Sequence, residues 1–258
     1  MGKRTACPFF TKEKLMIAKR KYEFQINAQH IDFQKKVSLP SLFNFIIKTA
    51  GKDADNNGFG LLKLQSDEYT WVLSRFVLDL ERFPIENEEI AVETWIQDVG
   101  SIFTTRNFSV SINDEMVGYA SSSWAVIDMQ TRQTVLLDTI EGLQQFILPE
   151  TTPIGVPARI PNIKGEPRNI FDVKYSHIDV NRHASSIYYI QWLSDCFSLD
   201  FYQDHKVKRF EINFLKEIIY GDKGEVLMEE KSENDYYFQI TTKEKGITCR
   251  ARITFTSN

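Results

Sequence analysis

The chain has 258 residues, 42% of them hydrophobic and 13% aromatic, which is ample for a packed core and excludes global disorder. That length fits two medium domains or one large one. A formal net charge of -4 speaks against a nucleic-acid partner, because phosphate recognition leaves a basic excess.

From the N-terminus, Met1 to Ala6 lacks the apolar run of a signal peptide, and Ala6 breaks the myristoylation pattern. The longest apolar runs, such as Leu42 to Ile47, are far too short to cross a bilayer. A soluble, cytoplasmic protein with no membrane span is therefore expected. A first helix is predicted over about Pro40 to Ala50, with Leu42, Phe43, Phe45, Ile46 and Ile47 as its apolar set. Asn57-Gly58-Phe59-Gly60 lacks the lysine and following helix of a phosphate loop and reads as a plain loop. Strands rich in β-branched and aromatic residues follow around Trp71 to Leu80, Ile90 to Gln97, Thr104 to Ile112 and Gly118 to Ile127.

Pro149, Pro153, Pro157, Pro161 and Pro167, together with Gly155 and Gly165, crowd one stretch. Proline removes a backbone donor and fixes φ, so 149–167 reads as an extended linker between a first domain, 1–148, and a second, 168–258. The second half repeats the order of the first. A helix is predicted over about Ala184 to Phe201, then strands near Val207 to Phe214, Gly224 to Glu230, Tyr236 to Thr242 and Thr248 to Phe255. Arg75-Phe76 and Arg209-Phe210 open comparable strands, and aligning them sets Phe83 opposite Glu217. A helix buried by an antiparallel sheet that wraps it, present twice, gives an α+β fold.

The densest chemistry is Asp179-Val180-Asn181-Arg182-His183, which places a carboxylate, an amide and an imidazole just before the second helix. A helix start offers unpaired N–H groups and the positive end of the helix dipole, both suited to an oxyanion. Asp179 or Asn181 alone serves equally well as an N-cap with His183 on the surface, and Glu217 alone is an ordinary exposed strand-end glutamate. If Glu217 faces Asp179 and His183, the set meets the needs of thioester hydrolysis: a base or nucleophile, an orienting group and an oxyanion donor. Cys7, Cys196 and Cys249 are far apart and in no Cys-x-x-Cys arrangement, so no disulfide framework or zinc site is indicated. His30, His177 and His205 have no carboxylate or cysteine at metal-ligand spacing and read as structural or surface residues. No metal and no cofactor is indicated.

These residues resemble the acyl-acyl carrier protein (acyl-ACP) thioesterases, best known from plant plastids and also found in bacteria. The resemblance rests on Asp-x-Asn-x-His with Tyr189-Ile190-Gln191-Trp192, on Lys216-Glu217-Ile218-Ile219-Tyr220-Gly221-Asp222, on Trp71 to Arg75 with Asp79, Arg82 and Pro84, and on Ser123 to Val126 with Thr131-Arg132. It spans from roughly residue 20 to the C-terminus and implies a tandem double hotdog that releases free fatty acid and holo-ACP, terminating fatty acid synthesis. It implies Asp179, Asn181, His183 and Glu217 as the catalytic set. Plant members usually carry a cysteine after the glutamate; Ile218 stands there in this chain, which favours attack driven by a carboxylate. The first half is then expected to hold the acyl tail, with Phe43, Phe45 and Ile47 as candidate lining residues. Acyl carrier protein is the implied partner, with Arg182, Lys206, Lys208, Arg209 and Lys216 as candidate landing residues, and a second copy of the chain is a further candidate. The absence of a plant-type transit peptide or hydrophobic anchor fits a bacterial cytosolic enzyme or a mature form. The same site chemistry also fits an acyl-CoA thioesterase, and the same fold a non-catalytic acyl-binding module.

Overall fold

The computed structural model describes residues 19–257; Cys7 and the Met1 to Ala6 stretch lie outside them. Its sheet comprises β1 (Arg20–Gln25), β2 (Tyr69–Leu80), β3 (Glu89–Val99), β4 (Phe103–Ile112), β5 (Glu115–Asp128), β6 (Thr134–Val135), β7 (Glu166–Asp172), β8 (His205–Phe214), β9 (Lys223–Ser232), β10 (Asp235–Thr242) and β11 (Gly246–Ser257). Alternation sets their faces: in β11, Cys249, Ala251, Ile253 and Phe255 are buried, while Arg250, Arg252 and Thr254 between them are partly exposed. The lateral order is β1-β3-β4-β5-β2-β8-β11-β10-β9-β7, with β6 on β5. That order is palindromic about the antiparallel seam between β2 and β8, where Val77 faces Glu211. The halves are therefore two-fold mates joined into one sheet, and Arg75 and Arg209 sit inside their strands rather than at the start.

Helix α1 (Leu39–Asn56) begins where Ser38 accepts the N–H of Ser41 and Pro40 occupies the first turn. It buries Leu42, Phe43, Phe45, Ile46, Thr49, Ala50 and Asp53, a helical stripe. It runs beyond the expected end at Ala50 because Gly51, though a poor helix former, is only mildly unfavourable. A short helix α2 (Leu61–Ser66) does follow the Asn57 to Gly60 loop. The expected Ala184 to Phe201 helix is broken into α3 (Ser186–Ser194) and α4 (Leu199–Asp204). Ser198 causes the break: it accepts the N–H of Phe201 as a new N-cap and must take an extended backbone to do so. Both long helices belong to one core. Phe43 of α1 meets Phe76 edge-on at 5.0 Å, and Trp192 of α3 stacks on Phe171 at 3.7 Å. Each half is thus a helix packed within antiparallel strands, the double-hotdog arrangement.

The two-fold extends to the turns before the helices. In the second half, Asp179 Oδ1 accepts the N–H groups of Asn181 (2.8 Å) and His183 (3.3 Å), and Arg182 takes a left-handed φ of 65°. In the first half, Asp32 Oδ1 accepts those of Gln34 (2.8 Å) and Lys36 (3.2 Å), and Lys35 has φ 62°. Ala184 N–H donates to Ile218 O at 2.7 Å, and Val37 N–H donates to Pro84 O at 2.8 Å. His183 and Lys36 are therefore mates, as are Glu217 and Phe83.

Candidate active site

Asp179 does not cap α3. Its carboxylate closes the turn over residues 179 to 183, and Ser185 takes the N-cap position without a capping side-chain bond. The backbone bonds of Ala184 and Ser185, to Ile218 O and His177 O, fix where this turn sits. Glu217 lies beyond the end of β8 in a segment clamped from several sides. The buried Tyr189 hydroxyl of α3 accepts the N–H of Ile218 at 3.1 Å and lies 3.5 Å from Lys216 O. Burial pushes the Tyr189 phenol well above its ordinary range, so it stays neutral and can serve both groups. Lys245 Nζ binds Glu217 O and Asp222 Oδ2, each at 2.9 Å, while that same Asp222 oxygen accepts the N–H of Ile219. Gly221, at φ 87°, makes the turn that brings Asp222 back.

These constraints place Glu217 Oε2 3.1 Å from His183 Nε2. The other carboxylate oxygen is paired with the Arg132 guanidinium, which comes from the loop between β5 and β6 in the first half. Asn181 Oδ1 faces Gln65 Nε2 of α2 at 3.4 Å, leaving the donor end of the Asn181 amide free for another acceptor. Asp179 touches neither the His183 ring nor Glu217 by hydrogen bond; its influence on His183 runs through the backbone.

Asp179, Asn181, His183, Glu217 and Arg132 all line one cavity of about 940 Å³. Ile47, Ala50, Gly51 and Ala54 form its α1 wall, opposite Trp71, Leu73 and Trp124 of β2 and β5. A Cβ built on Gly51 meets nothing within 4 Å, so the glycine faces open space. Ile218 points the other way: it is fully buried in the core and does not line the cavity.

Of the candidate tail-binding residues, Ile47 lines the cavity. Phe43 packs on Phe76 in the core, and Phe45 packs on Phe24 and His30; helical periodicity marks them as apolar but not which apolar surface they meet. Lys216 lines the cavity and Arg182 sits exposed in the turn over residues 179 to 183. Lys206, Lys208 and Arg209 do not flank the site. Strand β8 advances about 3.3 Å per residue, which carries its His205 end far from Glu217. Lys208 is bound to Asp79 (3.2 Å) and Glu81 (2.6 Å), and Arg209 to Glu211 (2.9 Å). Sequence reasoning missed Arg132, Tyr189, Gln65 and Lys245. Arg132 and Tyr189 lie within blocks that carry the family resemblance; Gln65 and Lys245 have no local signal.

Neither described cysteine enters the cavity lining. Cys196 is half-buried on the turn after α3, its thiol pushed up to about 12 by burial, and Cys249 is buried with its thiol raised for the same reason. His30 Nδ1 and His177 Nδ1 each accept a backbone N–H, from Asn27 and Lys174, while His205 Nδ1 lies 2.9 Å from Phe201 O. Among the described residues, no helix is long and apolar enough to cross a membrane.

Residues 18–140 match the acyl-ACP thioesterase N-terminal domain, and residues 162–257 match the acyl-ACP thioesterase C-terminal domain. The chain is 33% identical to an acyl-ACP thioesterase from Bacteroides thetaiotaomicron, whose crystal structure aligns with a TM-score of 0.89 over 96% of this chain and 100% of that one. The 12:0-ACP thioesterase from Umbellularia californica shares the fold at TM-score 0.82, with 17% identity over 93% of this chain and 98% of that one. Oleoyl-acyl carrier protein thioesterase 2 of Arabidopsis thaliana is 22% identical over 95% of this chain and 69% of its own length. With both domains matched in order and a solved bacterial relative covered end to end, this chain belongs to the acyl-ACP thioesterase family.

Proposed function

We propose that this chain hydrolyses the thioester of fatty acyl-ACP in the cytoplasm, with Glu217 as the group that activates water. The observation that carries this reading is the 3.1 Å contact of Glu217 with His183 at a large, mainly apolar cavity lined by neither described cysteine. Arg132 occupies one carboxylate oxygen, and His183 orients the other. Glu217 takes a proton from water as the water oxygen attacks the carbonyl carbon. The resulting oxyanion is met by the amide of Asn181 and by N–H groups in the uncapped first turn of α3. Collapse breaks the C–S bond, and the departing thiolate of the phosphopantetheine arm recovers the proton. A thiolate leaves more readily than an amine, so water activation carries most of the demand.

The acidic carrier protein docks at the cavity mouth, where Arg182 and Lys216 supply positive charge. Because the site draws Arg132 and Gln65 from one half and His183 and Glu217 from the other, one chain completes it without a second copy.

The test is thiol release from acyl-ACPs of increasing chain length, beside the matching acyl-CoAs. Glu217→Gln should lower kcat by roughly 10²–10⁴-fold with the fold intact. Wild-type turnover in that variant refutes the assignment, and faster release from acyl-CoA moves the substrate from carrier protein to coenzyme.

A further inference from the structure

The two-fold that relates the halves also makes a second cavity, of about 520 Å³, within the range that holds small-molecule ligands. The catalytic cavity lies between the start of α3 and the C-terminal part of α1; the second lies between the start of α1 and the C-terminal part of α3. It is the mate of the catalytic cavity, with different chemistry at the reacting corner. Phe83 stands where the first has Glu217, and Lys36 stands where it has His183. The base is gone, one negative charge is lost and one positive charge gained. Lys206, from the start of β8, lines the same cavity. Among the described residues, neither Lys36 nor Lys206 forms an ion pair, in contrast to the neighbouring Lys208, which pairs with Asp79 and with Glu81; Glu81 also interacts electrostatically with Lys206 at longer range. Ile187, Phe197 and Val207 supply apolar wall. Two carboxylates are also present: Asp32, whose Oδ1 holds its own turn, and Asp195 at the end of α3.

We propose that this second cavity binds a free fatty carboxylate without turning it over, its headgroup held by Lys36 and Lys206 and its chain on the apolar wall. At the reacting corner of the catalytic cavity a carboxylate product meets Glu217, already paired with Arg132; at the corresponding corner of the second it meets Phe83 and Lys36, with Lys206 lining the same cavity. With no base at that corner and an ammonium in place of the imidazole, the pocket suits the carboxylate product rather than a thioester to be attacked. The choice of a fatty acid rests on the acyl-ACP reading, but the binding measurement does not depend on turnover.

The test is equilibrium dialysis of labelled dodecanoate, below its micellar concentration, against the whole chain. Gly51→Trp places an indole in the catalytic cavity to obstruct it, with Gly51→Leu as a milder alternative should the tryptophan impair folding. Lys36→Glu/Lys206→Glu reverses the charge of the second cavity. One equivalent of dodecanoate should survive the Gly51 substitution and disappear in the double lysine variant, whose kcat/KM on acyl-ACP stays within about twofold of wild type. Methyl dodecanoate should not compete for that equivalent. Loss of all binding in both Gly51 variants overturns the proposal, as does an equivalent indifferent to the lysine reversals or displaced by the methyl ester. Thiol release without this second equivalent fails the inference alone; the second equivalent without thiol release fails the catalytic reading alone.

Discussion

Removing Asp53 tests how the cavity wall is held together. Arg106 lines the cavity that holds Glu217 and His183, yet its side chain is only 6% exposed, and its Nη1 lies 2.6 Å from Asp53 Oδ2 on α1, itself 7% exposed. Thr94 Oγ1 is 3.3 Å from the same nitrogen, and Asn57 Nδ2 donates to the same carboxylate oxygen at 3.2 Å. At an effective dielectric of about 20, two unit charges at that separation attract by about 6 kcal/mol. Desolvation of both groups offsets much of this, but deleting Asp53 leaves Arg106 buried and uncompensated at a cost of about 3–5 kcal/mol, whereas deleting Arg106 leaves Asp53 with Arg20 at 3.9 Å and costs less. Asp53→Ala should therefore lower Tm by about 6–20 °C, at about 2–4 °C per kcal/mol for a chain near this size. The stranded guanidinium also puts an unpaired charge in an otherwise apolar wall, so KM for acyl-ACP should rise more than kcat falls. Urea denaturation of Asp53→Ala, Arg106→Ala and the double variant measures the coupling, provided the m-value is unchanged. Replacing both charged partners by apolar side chains, in the double substitution Asp53→Leu/Arg106→Met, should restore most of the lost stability. An Asp53→Ala variant within about 1 kcal/mol of wild type, or a coupling near zero, refutes the reasoning.

Tyr189→Phe removes the hydroxyl that accepts the buried N–H of Ile218, so stability should fall by about 1–3 kcal/mol. Because that bond anchors the Glu217 segment, kcat should fall with little change in KM; an unchanged kcat argues against a positioning role. Asp179→Asn retains an oxygen able to accept the N–H groups of Asn181 and His183, whereas Asp179→Ala does not. The alanine variant should therefore lose more turnover and more stability than the asparagine variant, and equal losses assign the effect to charge instead. Burial, with Lys48 near His30 and Lys174 near His177, pushes both imidazoles below their usual 6.5. The unfolded chain then binds more protons between the folded and unfolded pKa values, so their contribution is complete above about 6.5 and is lost as pH falls through the depressed values. His30→Gln/His177→Gln should show a smaller drop in Tm between about pH 7.5 and 5.5 than wild type, and an identical drop removes both histidines from the account.

The sequence by itself determined the repeated order of helix and strands, because the periods of two and of about 3.6 are local properties of the chain. It also determined the correspondence of Phe83 with Glu217, since the halves keep their spacing. The placing of Asp179 to His183 just before a helix was legible too, but not that the Asp179 carboxylate closes a turn there instead of capping the helix. Where a helix breaks was less visible: Ser198 reads as an ordinary polar helix residue until its side chain is seen capping α4. Only the tertiary structure decided what each apolar face meets, sending Phe43 and Phe45 into the core and Ile47 to the cavity. It alone brought Arg132 to Glu217, residues 85 apart in sequence, and turned Ile218 away from the cavity they line. The physical reason is the seam between β2 and β8: it fixes the halves as two-fold mates, and that long-range pairing sets which side chains converge at one cavity and which at the other.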